Sequence, residues 1–249
     1  MSNLEATNRE HFDKVASNYE TDFGDMLRTA IAEFQARRLW IRKDLTENNS
    51  TSEGDNPHTI RLLDYACGAG TASKALAPYV TQIVGLDLSE NMVSEYNKYA
   101  RSMSFDPQKM QAYRHNLLDE TDKPPTDVEL ANFDVAIISM ALHHVSDPGK
   151  LVQRLAGCLK VGGVCVVLDR APSPTDTDLE TPDMHDRPKV LDTINQHSFS
   201  EEQMRQLYAD AGLTTGFDYV RIPKPFEFTL KGEKMLVSGF FARGERVEH

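Results

Sequence analysis

Residues 60–71 (IRLLDYACGAGT) constrain the fold of this chain more than any other stretch. The stretch begins with an apolar run of strand character and ends in a loop that contains two glycines, and a segment of helical composition follows it at residues 71–76. Gly68 and Gly70 lack a Cβ and can adopt φ values closed to other residues, so a ligand can approach the backbone closely here. The sequence therefore predicts a strand, a tight glycine loop and a helix that together hold a cofactor.

Two carboxylates indicate which cofactor this loop suits. Asp64 stands at the carboxyl end of the first predicted strand, and Asp87 stands at the end of the second. A pyrophosphate at the helix N-terminus would be repelled by Asp64, whereas an ammonium group would be attracted to it. NAD and ATP carry phosphates, and S-adenosyl-L-methionine carries an α-ammonium and a sulfonium, so Asp64 favours S-adenosyl-L-methionine. Asp87 is then expected to accept hydrogen bonds from the ribose hydroxyls.

Four sequence blocks carry a family resemblance, and they are LDYACGAG (63–70), VGLDLSENM (84–92), FDVAIIS (133–139) and LKVGGV (159–164). In order and spacing they resemble class I S-adenosylmethionine-dependent methyltransferases. Within that class the chain is similar to the ubiquinone/menaquinone-biosynthesis-type subgroup (methyltransferase type 11) and to fungal small-molecule methyltransferases. The resemblance covers residues 8–170 well and the remainder loosely.

Strands alternate with helices through most of the chain, which predicts right-handed crossovers and a doubly wound α/β sheet. The resemblance implies a Rossmann-like, seven-stranded and mostly parallel sheet with an antiparallel C-terminal strand and an N-terminal helical lid. Ligands of such a sheet lie at the carboxyl ends of its strands. We expect a single domain over residues 1–249, divided into a lid and linker (1–57), a cofactor-binding core (58–170), a substrate-side excursion (171–198) and a C-terminal helix with a strand pair (199–249).

The apolar periodicity and the turn residues give approximate element bounds. Helices are predicted at 8–22, 26–45, 71–76, 90–101, 149–159 and 201–211. Beyond the first strand, strands are predicted at 82–87, 109–117, 133–139, 164–169, 213–222 and 234–242, and the last two are expected to pair with each other. Ser200 and Gln203 form a capping-box pattern, and Ser89 is a predicted N-cap.

The charge balance bears on the class of partner. The chain has 27 Lys and Arg against 38 Asp and Glu, a net charge of −11, which disfavours a nucleic-acid partner. The sequence shows no apolar run long enough for a membrane span and no signal pattern, so we expect a cytoplasmic protein. Three cysteines without metal-ligand spacing predict no metal site, and Cys67 is interpreted as a small packing residue.

The resemblance, taken with the carboxylates and glycines above, gives a set of predicted cofactor-binding residues: Tyr19, Asp64, Ala66, Gly68, Gly70, Asp87, Leu88, Met92, Asn116, Leu117 and Ser139. Tyr19 either contacts the cofactor or covers the core, and ordinary packing is the preferred reading of Met92. Relatives commonly carry Asp at the position of Asn116, where it accepts from the adenine amino group. An Asn can still accept there through its carbonyl oxygen.

The candidate catalytic bases are His144, His197 and Asp169, with His143 as a neighbour of the first. Adjacent residues on a helix diverge by roughly 100°, so His143 and His144 are expected to face different ways, one inside and one outside. Of the two, His144 is favoured. The resemblance places His197 where relatives often carry a histidine that faces the pocket, and Asp169 could instead anchor the excursion that follows it. Each histidine could equally be a hydrogen-bonded structural residue.

The resulting hypothesis is a methyltransferase that acts on a small-molecule acceptor by in-line transfer, with the thiol, hydroxyl or amine of a secondary metabolite as acceptor. The oligomeric state is left open. One alternative is a cofactor-binding regulatory protein without turnover, because a fold and a cofactor do not guarantee chemistry. Another is an NAD-dependent oxidoreductase, against which stand Ser73 in place of the third fingerprint glycine and the charge of Asp64.

Overall fold

A computed structural model describes residues 3–47, 59–173, 189–230 and 232–248 of the chain. Two predicted segments fall largely outside these ranges. They are the polar connection before the first strand, of which residues 48–58 are not described, and the excursion, of which residues 174–188 are not described.

Seven helices and two groups of strands account for most of the described residues. The helices are α1 Asn3–Val15, α2 Tyr19–Asp22, α3 Gly24–Ile41, α4 Thr71–Leu76, α5 Glu90–Ser102, α6 Pro148–Cys158 and α7 Glu201–Asp210. The strands are β1 Arg61–Tyr65, β2 Gln82–Asp87, β3 Met110–Arg114, β4 Phe133–Ser139, β5 Leu159–Arg170, β6 Thr215–Arg221, β7 Phe226–Leu230, β8 Glu233–Val237 and β9 Gly239–Glu245.

The main sheet has seven strands in the order β3-β2-β1-β4-β5-β9-β6. Neighbours from β3 to β5 pair in parallel, and β9 is antiparallel to both β5 and β6. The strand order reverses between β1 and β4, which is where a doubly wound sheet opens a crevice at its carboxyl edge. The predicted fold class is confirmed, including the single antiparallel strand.

Apolar side chains cover both faces of this sheet. On one face the strands pack against α3, α4 and α5 through residues such as Phe34, Leu76 and Tyr96. On the other face they pack against α6 and α7 through residues such as Leu155 and Tyr208. Burial on both sides explains why β4 reads as a nearly continuous apolar run.

Several helix ends follow the predicted local chemistry. The Ser89 side chain accepts from the backbone N–H of Met92 at the start of α5. Ser200 and Gln203 form the complete capping box at the start of α7. Gly212 follows α7 with φ +70°, a conformation that favours glycine and ends the helix.

The C-terminal prediction is wrong in one respect. Residues 234–242 were expected to form one strand, but they contribute to β8 and β9, which belong to different sheets. Ser238 separates the two strands, and its carbonyl accepts from the N–H of Ala171 at 2.8 Å. Because β8 pairs with β7 and not with the main sheet, the chain gains a hairpin that the sequence did not predict.

Other bounds also differ from the predictions, and the second predicted helix ends at Ile41 instead of residue 45. The first helix begins at Asn3 and is interrupted by a 3-10 turn at Ala16–Asn18. β3 ends at Arg114, earlier than predicted. β5 begins at Leu159 because the glycines at 162 and 163 form an irregularity within the strand, where a Cβ on Gly163 would meet the carbonyl oxygens of Lys160 and Phe133 at 2.8 Å. Within the described residues, no helix has the length and apolarity required to span a bilayer.

Candidate functional site

The carboxyl edge of the sheet holds a cavity of about 1090 Å³, counting the space at its open mouth, and we call it the first cavity. Its floor comes from the ends of β1, β2 and β4, and α1 and α3 cover it. Ten of the predicted site residues line it: Tyr19, Asp64, Ala66, Gly68, Asp87, Leu88, Met92, Asn116, Ser139 and His144.

The glycine loop forms one wall of the first cavity. Gly68 has φ +49°, and a Cβ built on it would meet nothing within 4 Å, so its backbone is open to a ligand. Gly70 has φ +92° and faces the core, where a Cβ would lie 3.0 Å from the Tyr96 ring. Ala66 and Met140 line the same cavity with φ +52°, a conformation that costs energy for residues with a Cβ. Only Gly68 therefore has the predicted role of admitting a ligand.

Asp64 is 1% exposed and is held by the start of α4. Its Oδ2 accepts from the Ser73 hydroxyl at 2.6 Å and from the Ser73 backbone N–H at 3.1 Å. Tyr96 donates in turn to the Ser73 hydroxyl at 2.8 Å, which fixes that hydroxyl as a donor to Asp64. Burial raises the pKa of Asp64 to about 7, and the two bonds from Ser73 oppose that rise.

Asp87 accepts one backbone N–H on each carboxylate oxygen. Gly68 donates to Oδ2 at 2.8 Å and Ser89 donates to Oδ1 at 2.9 Å. The backbone N–H of Leu88 also interacts with the carboxylate, which still has acceptor capacity for a ligand. Burial raises the pKa of Asp87 to about 6, and burial together with the charge of Asp87 raises the pKa of Tyr19 to about 12.

Asn116 lies in the wall of the first cavity with its amide in an orientation that the prediction did not foresee. Its Oδ1 already accepts from the Tyr65 hydroxyl at 3.2 Å and from the backbone N–H of Leu118 at 2.9 Å. Its Nδ2 is buried and has no partner among the described residues. The expectation that Asn116 accepts from an adenine amino group is therefore corrected. Both lone pairs of Oδ1 are in use, and the group that Asn116 offers to a ligand is the Nδ2 donor.

A second cavity of about 680 Å³, also counted with its mouth, adjoins the first. The two share residues from the lid and from the end of β4, namely Phe12, Tyr19, Met26, Met140 and His144. Most of the remaining walls come from the β7–β8 hairpin, the 3-10 turn at Lys189–Thr193 and Arg170 at the end of β5. The lining is mostly aromatic and aliphatic, with three histidines and Arg170 as its polar members.

Both neighbouring histidines point inward, contrary to the expectation of one inside and one outside. They lie on a short 3-10 turn, Leu142–His144, and their ring centroids are 4.0 Å apart. Both line the second cavity. His144 Nδ1 lies 2.9 Å from the carbonyl oxygen of Thr193, and His143 Nδ1 lies 2.7 Å from Asp169 Oδ1.

Four predicted site residues do not line the first cavity. Asp169 is fully buried and contacts His143, so it lies behind the histidine and not beside a ligand. His197 is exposed, because the chain turns there so that Phe199 can enter the core. Gly70 packs on Tyr96, and Leu117 packs on the core while its neighbour Leu118 reaches the cavity.

The lid helices are tied to the sheet edge by side chains that were not predicted to be site residues. Asn8 Nδ2 donates to the His144 carbonyl at 2.8 Å, and Asp13 Oδ1 accepts from the Ser89 hydroxyl at 2.6 Å. Lys74 pairs with Glu20. Ser73 was noted only as a missing glycine, although its position three residues into a helix after Asp64 is a usable signal. Nothing in the local sequence marks Asn8 or Phe228 as site residues.

Cys67 lines the first cavity without acquiring the properties of a nucleophile. It is 5% exposed, and burial raises the pKa of its thiol well above the usual value. A Cβ on Gly85 would lie 2.9 Å from its sulfur, so the side chain fills a tight space between strands. Its interpretation as a packing residue agrees with this environment.

Comparisons with known proteins agree on one family. The model of the methyltransferase domain matches residues 33–215, well over half of the chain. An uncharacterised methyltransferase of Schizosaccharomyces pombe is 30% identical over 68% of this chain and 66% of its own length. A ubiquinone biosynthesis O-methyltransferase of Bradyrhizobium is 32% identical over 43% of this chain. The matched segments thus span less than two thirds of these relatives, and only 39% of the second.

Solved structures share the fold at low sequence identity. Magnesium protoporphyrin IX methyltransferase from Synechocystis PCC 6803, solved with bound SAM, superposes with a TM-score of 0.62 over 99% of this chain and 98% of its own, at 14% identity. The YcgJ protein of Bacillus subtilis gives a TM-score of 0.56 over 83% of this chain and 99% of its own, at 16% identity. On the match of the family model to residues 33–215, the chain belongs to the methyltransferase domain family.

Proposed function

We propose that this protein is an S-adenosyl-L-methionine-dependent methyltransferase whose acceptor is a small molecule. When bound, S-adenosyl-L-methionine supplies an electrophilic methyl group on a positively charged sulfur. The first cavity is the proposed cofactor site and the second cavity is the proposed acceptor site. Their shared wall, which includes Met140 and His144, is where an acceptor would meet the methyl group.

The observation that carries this proposal is the donor and acceptor set of the first cavity. Asp87 keeps acceptor capacity for a ligand hydroxyl beside its backbone partners, and Asp64 Oδ1 has no hydrogen bond to any described residue. The Nδ2 of Asn116 is a buried donor without a partner in the described chain. A vicinal diol, an ammonium group and a ring nitrogen would satisfy these three side chains, and S-adenosyl-L-methionine carries all three groups.

The raised pKa values of the two carboxylates support the same assignment. Desolvation is the largest cause at both Asp64 and Asp87, which means that the cavity disfavours their charges when no cation is near. A cationic ligand would restore the ionised forms, whereas a diphosphate would add further repulsion. The charge of the cavity therefore disfavours the NAD-dependent alternative.

The proposed acceptor is a small molecule with a thiol, hydroxyl or amine, because the second cavity is enclosed by side chains of the lid and the hairpin. Its predominantly apolar lining suits a metabolite better than a charged polymer. Family relatives named as ubiquinone biosynthesis O-methyltransferases support a small-molecule acceptor for this chain as well.

Isothermal titration calorimetry with S-adenosylhomocysteine and with NADH tests the cofactor assignment. We expect micromolar binding of S-adenosylhomocysteine and no binding of NADH. An assay of S-adenosylhomocysteine formation over a panel of phenols, thiols and amines then tests turnover. Binding of NADH alone would favour an oxidoreductase, and binding of S-adenosylhomocysteine without turnover of any acceptor would favour a regulatory protein.

A further inference from the structure

We infer that the second cavity binds an aromatic acceptor that carries a hydroxyl group, and that His143, held by Asp169, is the base that removes the hydroxyl proton. This inference rests on the proposed function, since it names the acceptor class and the base for the same reaction. It moves the catalytic role from His144, which the sequence favoured, to its neighbour.

Aromatic rings dominate the walls of the second cavity. Phe12, Tyr19, Phe23 and Phe228 all line it, and consecutive pairs among them lie with ring centroids between 4.9 and 6.5 Å apart. Their faces and edges meet at tilted or perpendicular angles, as aromatic groups prefer. A planar ring is the ligand that such walls contact most completely, and aliphatic residues such as Leu191 and Ile194 close the remaining side.

His143 and Asp169 form a buried carboxylate–imidazole pair at one side of this cavity. Asp169 is 0% exposed, and its Oδ1 lies 2.7 Å from His143 Nδ1. The same carboxylate accepts the backbone N–H of His143 at 3.2 Å and of Arg170 at 2.6 Å. Because every partner of Asp169 is a donor, the pair is satisfied with the proton on Nδ1, which leaves the Nε2 lone pair of His143 to accept a proton.

The turn that carries His143 is anchored from several directions. The His143 carbonyl accepts from the backbone N–H of Asn195 at 2.8 Å and of Gln196 at 3.2 Å. The next carbonyl, that of His144, accepts from Asn8 of the lid. A base must be held in place to act, and these bonds fix the backbone while Asp169 fixes the ring.

His144 has the opposite character and is a poor proton acceptor. Its Nδ1 donates to the carbonyl of Thr193, a partner that carries no full charge to stabilise an imidazolium. Burial and the adjacent His143 lower the pKa of His144 well below its usual value. With ring centroids 4.0 Å apart, two positive charges would repel strongly, so only one ring can take the proton, and the carboxylate lies beside His143.

The pair of His143 and Asp169 indicates which kind of acceptor atom receives the methyl group. A neutral amine attacks without prior loss of a proton, and a thiol with a pKa of about 8.5 needs only modest help. A phenolic hydroxyl, with a pKa of about 10, is mostly protonated at pH 7 and gains most from a base. A hydroxyl on an aromatic ring is therefore the acceptor that uses both the rings and the base of this cavity.

The acceptor O–H bond breaks and its proton passes to His143 Nε2, while an oxygen lone pair forms the new O–CH₃ bond. The S–CH₃ bond breaks with its electron pair retained by sulfur, which becomes a neutral thioether. The imidazolium of His143 then releases its proton to solvent, so the net products are the methyl ether, S-adenosylhomocysteine and one proton.

Matched oxygen and sulfur acceptors test this inference, with phenol and 2-naphthol compared against thiophenol and 2-thionaphthol. We expect His143→Gln to lower kcat for the phenols about 10²–10⁴-fold and for the thiols less than about tenfold. Asp169→Asn is also expected to lower kcat for the phenols and to change the pH profile of kcat, since Asp169 acts through His143. The matched control is His197→Gln, whose side chain is exposed and lines neither cavity.

Two further measurements separate a chemical effect from a folding defect. S-adenosylhomocysteine affinity should stay within about twofold in His143→Gln, because His143 does not line the first cavity. Nitrogen-15 histidine NMR of the S-adenosylhomocysteine complex should show that the neutral imidazole of His143 carries its proton on Nδ1 and not on Nε2. The inference would be overturned if His143→Gln lost kcat equally for phenols and thiols. It would also be overturned if the wild type turned over thiols or aniline but no phenol, or if the neutral imidazole of His143 carried its proton on Nε2. If the wild type binds no S-adenosylhomocysteine or turns over no acceptor, the proposed function itself fails and this inference fails with it.

Discussion

The two cavities differ in how the chain builds them. The first is built largely from the ends of β1, β2 and β4 and the loop after β3, so Asp64, Asp87 and Asn116 lie next to strands that define the fold, while α1 adds polar residues from the lid. The second draws on the lid, a 3-10 turn, the segment after residue 188 and the β7–β8 hairpin, which are far apart in the sequence. Polar atoms with fixed partners characterise the first cavity, and aromatic surface characterises the second.

This difference is what two cavities with different ligands require. A ligand of constant chemistry needs donors and acceptors at fixed positions, and strand ends in a parallel sheet supply them rigidly. An acceptor that varies between relatives is better served by loops and helices laid over that edge, because these can change without altering the sheet. If the two cavities act separately, substitutions in one should leave the ligand of the other unaffected.

Asp87→Ala should affect the first cavity most. The carboxylate supplies the proposed ribose contacts and also binds the N–H groups of Gly68 and Ser89. We expect S-adenosylhomocysteine affinity to fall about 5–150-fold, which corresponds to about 1–3 kcal/mol, measured by calorimetry. Asp210→Ala on the exposed end of α7 is the control and should bind as the wild type does. Unchanged affinity in Asp87→Ala would remove Asp87 from the site.

The pH dependence of cofactor binding should be the next largest effect. Burial raises the pKa of Asp64 to about 7 and of Asp87 to about 6, so the ligand-free folded state holds protons that the unfolded chain has lost. Ligand-free stability should therefore fall as pH rises from about 4 through 7. A ligand with an ammonium group favours the ionised carboxylates, so S-adenosylhomocysteine affinity should rise about tenfold between pH 5.5 and 7.5, with release of protons.

Calorimetry in buffers of different ionisation enthalpy measures this proton release directly. Asp64→Asn removes the group of higher pKa and should flatten the upper part of the affinity profile. An affinity that is constant or falls as pH rises would show that neither carboxylate meets a cation.

The same difference explains what could be predicted from the sequence. The sheet and the first cavity follow from contiguous blocks, in which a strand, a glycine loop and an acid at the strand end are visible together. The predicted ring directions of His143 and His144 were wrong because hydrogen bonds to Asp169 and Thr193, and not the backbone angle between successive residues, orient the two rings.

The second cavity could not be predicted for a physical reason. Phe228 reaches it only because Ser238 interrupts what looked like one strand, and a single residue of separation assigns β8 and β9 to different sheets. Local periodicity contains no information about that choice, which depends on packing between parts of the chain that are distant in sequence. For Asn116 the residue was found but not the orientation of its amide, which is set by Tyr65 and Leu118.

The unpaired amide of Asn116 gives a smaller and more specific test. If Nδ2 donates to a ring nitrogen of adenine, then one of the three analogues of S-adenosylhomocysteine in which N1, N3 or N7 is replaced by carbon should bind about fivefold more weakly. Asn116→Asp keeps an acceptor for the Leu118 N–H but loses the donor, so this dependence should disappear. Equal binding of all three analogues by the wild type would contradict the assignment.

Phe228→Ala should give the smallest effect and is the direct test that the cavities are separate. Phe228 contacts Phe23 at a centroid distance of 5.6 Å, and it lines the second cavity but not the first. Loss of one aromatic wall should raise KM for the phenol found active in the acceptor panel about threefold, while the affinity for S-adenosylhomocysteine stays unchanged. Phe105→Ala is the matched control, because Phe105 is also partly buried but lines neither cavity. An equal loss in acceptor and cofactor binding would mean that the hairpin supports the whole edge of the sheet, and the two cavities would then have to be treated as a single site.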